Sequence, residues 1–209
     1  MWPGKASISD AARSYHSSDM NNPCILVFGI SGVGKSTACK VFTNTHPEFK
    51  YVSASEIISS ATSHSPEKLR KSSEAEIEKN QTALISALND LFIQSPQSPI
   101  ILDAHAVIDN DEDLIEIPTA TIQAIRPLGL ILLEAPPLDV IRRRQIGPRR
   151  RPLRDVARIE LETAKERKIV QHYAEALDIP LEIDEVLDGY ELESAIDRLT
   201  RGTTFNALL

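Results

Sequence analysis

Three short stretches of the chain are apolar at nearly every position: Pro23-Cys24-Ile25-Leu26-Val27-Phe28-Gly29, Pro99-Ile100-Ile101-Leu102-Asp103 and Leu128-Gly129-Leu130-Ile131-Leu132-Leu133-Glu134. A strand without alternation has both faces in the core. Tyr51-Val52 and Leu181-Glu182-Ile183 are read as two further, shorter strands. The segments between them carry helical spacing and helix-start signals. A helix is expected from Lys35 to about Thr45. Ser53-Ala54-Ser55-Glu56 fits a capping box opening a short helix. Ser65-Pro66-Glu67 supplies a serine cap and a proline at the first helical position. That helix is expected to reach Phe92, with Ile77, Leu84, Leu88 and Leu91 along one face. Further helices are expected from Leu138 to Gln145, over roughly 155–178, and from Tyr190 to about Arg201. Buried strands alternating with helices predict an α/β fold whose parallel sheet is covered on both sides. No internal repeat is visible.

Residues 1–22 carry five serines and no apolar periodicity, which predicts a flexible tail. Residues 23–209 then form one domain. No apolar run approaches the ~18 residues of a membrane span, and the N-terminus lacks the apolar centre of a signal peptide. Cys24 and Cys39 form no pairing pattern, so a reducing cytoplasm is the expected compartment; Cys39 reads as a core position. The net charge of −7 argues against a general nucleic-acid binder. Arginine is nevertheless concentrated: Arg142, Arg143, Arg144, Arg149, Arg150, Arg151, Arg154 and Arg158 lie close together. That concentration in an acidic chain points to a local anionic ligand. A homo-oligomer is left open.

The strongest chemical signal is Gly29-Ile30-Ser31-Gly32-Val33-Gly34-Lys35-Ser36-Thr37, which contains G-x-x-x-x-G-K-S between a buried strand and a helix. Glycines let the backbone curl until successive N–H groups face phosphate oxygens. The helix starting at Lys35 adds its positive end. Lys35 is placed to reach the β- and γ-phosphates of ATP, and the Ser36 hydroxyl to ligate Mg²⁺. The bland alternative is a glycine turn. Asp103 ends another apolar strand, where a carboxylate holds Mg²⁺ directly or through water or merely caps the next turn. No nucleophilic serine or cysteine arrangement competes, and no His/Cys cluster suggests zinc.

With these motifs stand Asp103-Ala104-His105-Ala106-Val107-Ile108, Ile117-Pro118, Leu133-Glu134-Ala135, Leu161-Glu162-Thr163 and Leu69-Arg70-Lys71. Together they make the chain resemble the archaeal-type adenylate kinases, which are P-loop nucleoside monophosphate kinases. The resemblance runs from Ile25 to the C-terminal helix. It implies a P-loop NTPase three-layer fold with a five-stranded parallel sheet, short acceptor-binding helices and an arginine-rich lid at about 146–155. It implies transfer of a phosphoryl group from Mg-ATP to AMP. By matched position, Glu56 is an acidic residue near the acceptor, Arg70 and Gln81 lie on the acceptor helices, and Arg144 and Arg151 flank or enter the lid. Two departures stand out. Where the family has a basic residue followed by Thr-Pro, this chain has Asp109-Asn110-Asp111-Glu112-Asp113. Where the family's lid has T-R-x-R, this one has Gly147-Pro148-Arg149-Arg150-Arg151-Pro152-Leu153-Arg154.

Each candidate has a plainer reading. Gly147-Pro148 and Pro152 interrupt helical spacing, so several arginines belong to a loop, where a guanidinium fork suits phosphate oxygens. Arg144, Arg151 and Arg154 are the candidate catalytic cations; the alternative is a solvated or protein-docking patch. Glu56 serves a capping box or a substrate. Arg70 contacts an acceptor phosphate or pairs with Glu67 or Glu74. Gln81 is an ordinary mid-helix residue or an acceptor ligand. His105 lies beyond a strand's carboxyl end, where parallel sheets bind ligands, or is structural. Three functions remain in view: an adenylate-kinase-type enzyme; a nucleoside or small-metabolite kinase, whose neutral or cationic acceptor would suit the acidic run; and an ATPase or switch that docks a macromolecular partner.

Overall fold

The computed structural model describes residues 24–96, 98–147, 151 and 153–201; the expected tail and the lid residues Pro148, Arg149, Arg150 and Pro152 lie outside them. Five parallel strands form the central sheet in the order β2-β3-β1-β6-β7: β1 (Cys24–Phe28), β2 (Lys50–Ser53), β3 (Ile100–Asp103), β6 (Gly129–Glu134) and β7 (Leu181–Glu185). All five residues of β1 are buried, because β1 is central and helices cover both its faces. Its side chains alternate between two cores. Cys24, Leu26 and Phe28 join one with Leu84, Leu88, Val170 and Tyr173. Ile25 and Val27 join the other with Cys39, Phe42, Ile196 and Leu199. The α/β architecture is thus the expected one, in three layers.

The first helix, α1 (Lys35–Thr45), matches its expected span. So do α6 (Pro137–Ile146) and α7 (Val156–Leu177), within a residue or two. Among the described residues no helix is long and apolar enough to cross a membrane.

Three local readings are corrected. The helix α2 (Ala54–Thr62) begins after Ser53, but Ser53 makes no side-chain cap; its hydroxyl meets Ser55 Oγ instead. The helix expected from Ser65 to Phe92 is two helices, α3 (Pro66–Arg70) and α4 (Glu74–Gln94). Ser73 and Glu76 build the capping box that restarts it, each bonding the other's backbone N–H. The last helix, α8 (Glu193–Arg201), starts later than Tyr190, whose hydroxyl donates to Asp184.

The acidic run forms the tip of an antiparallel hairpin, β4 (Val107–Asp109) and β5 (Leu114–Glu116), two strands the sequence reading did not include. Asp109 and Asn110 side chains accept N–H groups of the tip, as these residue types do in turns. A short helix α5 (Thr119–Ile125) follows and seals the lower core with Ile122 and Ile125.

Candidate active site

The glycine loop leaves β1 and enters α1. Gly29 has φ +144°, and a Cβ there would sit 2.3 Å from the Leu133 carbonyl oxygen, so only glycine lets the loop pass this close to β6. Lys35 is 5% exposed and folds back along the loop, its Nζ donating to Gly29 O at 2.6 Å and lying 3.8 Å from Asp103 Oδ1. Burial lowers its pKa, while the charges of Asp103 and Glu166 oppose that fall.

Asp103 reaches this point through sheet register: it is opposite Val27 of β1 and Ser53 of β2. Ser36 Oγ donates to its Oδ2 at 2.5 Å and Tyr51 OH at 3.3 Å. Burial, then the Asp103 charge, pushes the Tyr51 phenol up to about 12, so it stays a donor. A hydroxyl and a carboxylate side by side are hard oxygen donors. Mg²⁺ uses one or two such protein groups and completes its shell with water and phosphate. Among the described residues no cluster of three or more His, Cys, Asp or Glu could cage a metal. Ser36 and Asp103 therefore fit Mg²⁺ delivered with a nucleotide better than a resident ion.

From the loop a cleft of about 1020 Å³ extends to α2, α3 and α4. It brings together all four expected acceptor residues, Glu56, Arg70, Gln81 and His105. The His105 ring nitrogen Nδ1 lies 3.4 Å from Lys35 Nζ. Burial, then the lysine's charge, holds its pKa well below the usual range, so the imidazole is neutral. Asn80 and Gln81, 7% and 8% exposed, line the same cleft. Their carboxamides have no hydrogen-bond partner among the described residues.

The arginines divide by partner. Arg144, on α6, is 4% exposed; its NH2 lies 2.6 Å from Glu162 Oε2, and its Nε donates to Ser31 O at 2.8 Å. It braces the loop from α6, where it also lines the cleft, rather than extending from a lid. Arg143 does the same, donating to Val33 O at 2.7 Å. Arg151 lines the cleft. Arg154 grips Asp109 through Nε and NH2 at 2.8 and 3.1 Å and reaches Asp111 at 2.7 Å. Arg70 pairs with Asp111 at the hairpin tip rather than with Glu67 or Glu74 on its own or the next helix. Partial burial works against the Asp109 charge, yet bonds from Arg154 and the Asp111 N–H hold its carboxyl at about 2.

Glu166 was not among the sequence candidates. It is 1% exposed on α7, its Oε1 accepting the N–H of Gly29 at 3.1 Å and of Ala106 at 3.0 Å, its Oε2 that of Val107 at 2.8 Å. Burial raises its pKa, and those N–H groups with Lys35 oppose the rise. One carboxylate thus ties the donor loop to the segment just after His105. The signal was present: Glu162 and Glu166 fall on the buried stripe of α7 with Ile159, Ile169, Val170 and Tyr173. A glutamate at a core position requires a partner.

This loop, strand-end carboxylate and open cleft define a P-loop nucleotide-binding protein. The chain belongs to the AAA domain family, whose family model matches residues 28–163. It is 25% identical over 195 residues to an adenylate kinase of Pyrococcus horikoshii, covering 85% of this chain and 93% of that protein. An adenylate kinase of Pyrococcus abyssi is 25% identical over 155 residues, 71% of this chain and 73% of that protein. A shikimate kinase of Acinetobacter baumannii, solved with shikimate, shares the fold with a TM-score of 0.55 at 16% identity, over 87% of this chain and 93% of that one. A shikimate kinase of Bacteroides thetaiotaomicron gives 0.54 at 16% identity, over 85% and 96%. These likenesses support an ATP-dependent phosphotransferase of the P-loop type.

Proposed function

We propose that the protein is a nucleoside monophosphate kinase of adenylate-kinase type, transferring the γ-phosphoryl group of ATP to AMP. The observation that carries this reading is the acceptor half of the cleft. It is apolar, through Ile58, Leu69, Ile77 and Leu84, and it holds the Asn80 and Gln81 carboxamides, which have no hydrogen-bond partner among the described residues. Apolar walls with a few convergent amides suit a flat heteroaromatic base, whose edge both donates and accepts hydrogen bonds. The two Pyrococcus adenylate kinases support the same acceptor.

In this mechanism the backbone N–H groups of residues 29–37 and the start of α1 cradle the donor phosphates. Lys35 releases Gly29 O and turns its ammonium onto the β- and γ-phosphate oxygens, where charge grows during transfer. Ser36 and Asp103 would hold Mg²⁺, which neutralises phosphate charge when bound. Neutral His105, beside Lys35, stands between donor loop and acceptor and offers a hydrogen bond without competing for anions. Arg70 and Glu56 face the acceptor from the helices. Arg151 supplies charge from the lid side, Arg154 is held at the hairpin by Asp109 and Asp111, and Arg144 holds the loop that carries Lys35. Transfer itself needs alignment of the two nucleotides more than covalent help.

The test is chromatography of nucleotides after incubation with Mg-ATP and, separately, AMP, GMP, CMP, UMP, dAMP, adenosine or shikimate. AMP is expected to accelerate ATP consumption most, with two ADP formed per AMP lost. Stimulation by adenosine or shikimate alone would move the assignment to a nucleoside or metabolite kinase. No stimulation by any acceptor would leave an ATPase.

A further inference from the structure

The acidic hairpin tip is tied into the acceptor side by a chain of ion pairs. Both oxygens of Asp111 face the two terminal nitrogens of Arg70, at 2.7 and 2.8 Å. Asp111 Oδ1 also accepts from Arg154 NH2 at 2.7 Å, and Lys71 Nζ lies 3.9 Å from its Oδ2. Asp109 takes Arg154 in a two-point grip and lies 3.4 Å from Arg158. Four cations therefore surround two carboxylates.

The two aspartates are not equivalent. The Asp109 side chain is 11% exposed and is a residue of β4. The Asp111 side chain is 35% exposed, sits beyond the strand, and has φ +84°. Asp111 is the more exposed of the two, so returning its carboxylate to water costs less than freeing Asp109. A phosphate would take the same planar fork of Arg70 that Asp111 now fills, since carboxylate and phosphate share that two-point geometry.

We propose that Asp111 is a built-in counter-anion that the acceptor's phosphate must displace from Arg70, so that this residue sets acceptor affinity. Asp109 keeps Arg154 in place during the exchange, and the hairpin is the arm on which Asp111 swings away. The inference rests on the monophosphate reading above. It accounts for an acidic run beside a site for an anion: the carboxylates hold arginines that would otherwise repel one another, and the substrate replaces one of them.

Calorimetric titration of the full chain with AMP and with adenosine tests this. Asp111→Asn and Asp111→Gly both suit the positive φ, so neither strains the tip. Each is expected to bind AMP about fivefold more tightly, the equivalent of one exposed ion pair no longer competing. Adenosine, lacking the phosphate, is expected to bind wild type and variants alike. AMP binding that is unchanged or weaker in both variants overturns the proposal. A matching gain for adenosine overturns it too, since the effect would not act through the phosphate. If wild type binds adenosine but not AMP, the monophosphate reading itself falls, and the role of Asp111 with it.

Discussion

Ser36 Oγ and Asp103 Oδ2, 67 residues apart in the chain, meet at 2.5 Å. The contact follows from two facts: Ser36 opens α1 just beyond β1, and parallel pairing sets Asp103 at the end of β3 opposite Val27. Hydroxyl and carboxylate arrive together at the mouth of the glycine loop, and Lys35 lies 3.8 Å from the other carboxylate oxygen.

Asp103→Asn is expected to reduce Mg²⁺-supported turnover by at least about tenfold and to raise the Mg²⁺ concentration needed for half-maximal rate. Metal-free ATP binding should change little, because an amide still accepts the Ser36 bond but attracts a cation weakly. Turnover and metal-free nucleotide binding, measured side by side, check this. Equal losses in both would make Asp103 a structural residue.

Lys35→Met keeps most of the buried stem and removes the charge. The expected loss in kcat/KM is about 100-fold or more, roughly 2.7 kcal/mol of transition-state stabilisation. Steady-state kinetics with a thermal melt checks it. A variant that folds and keeps more than about a tenth of the rate would refute the role of this lysine.

Arg144→Met leaves Glu162 charged and buried without its partner, since the two side chains are 3% and 5% exposed. Removing one member of a buried pair costs about 3–5 kcal/mol. Replacing both is expected to recover much of that stability, whereas the loop still loses the Arg144 bond to Ser31 O. Denaturant unfolding of both single variants and the double variant completes the cycle. Losses that simply add would show that the two residues act independently.

Acid stability should carry the mark of Asp109. Its carboxyl stands at about 2 in the folded chain against an ordinary 3.8. The unfolded chain therefore takes up this proton first as pH falls. The stabilisation is whole above roughly pH 4 and is lost on the way down to about pH 2. Asp109→Asn is expected to be less stable than wild type at pH 6, with the gap closing across that interval. A gap that stays constant from pH 6 to pH 2 would show that the carboxylate's charge contributes nothing.

Much of the molecule was legible along the chain. The continuous apolar runs became the strands of the parallel sheet, because burial of both faces leaves no polar position to alternate. The glycine loop and α1 were legible because their chemistry is local: nine consecutive residues carry it. The break between Arg70 and Glu74 was also written there, in the Ser73–Glu76 box, but the stronger serine-proline start at Ser65 hid it. The hairpin escaped because strands of three residues are too short to show a period. What the fold alone decided is the partner of each charge. Arg70 and Arg154 meet the acidic tip across 41 and 43 residues, Arg144 meets Glu162 from a different helix, and Glu166 bonds Gly29 across 137. Coulomb attraction and hydrogen bonding act over a few ångströms of space, and composition specifies which charges exist but not which of them the packed sheet and helices bring within that distance.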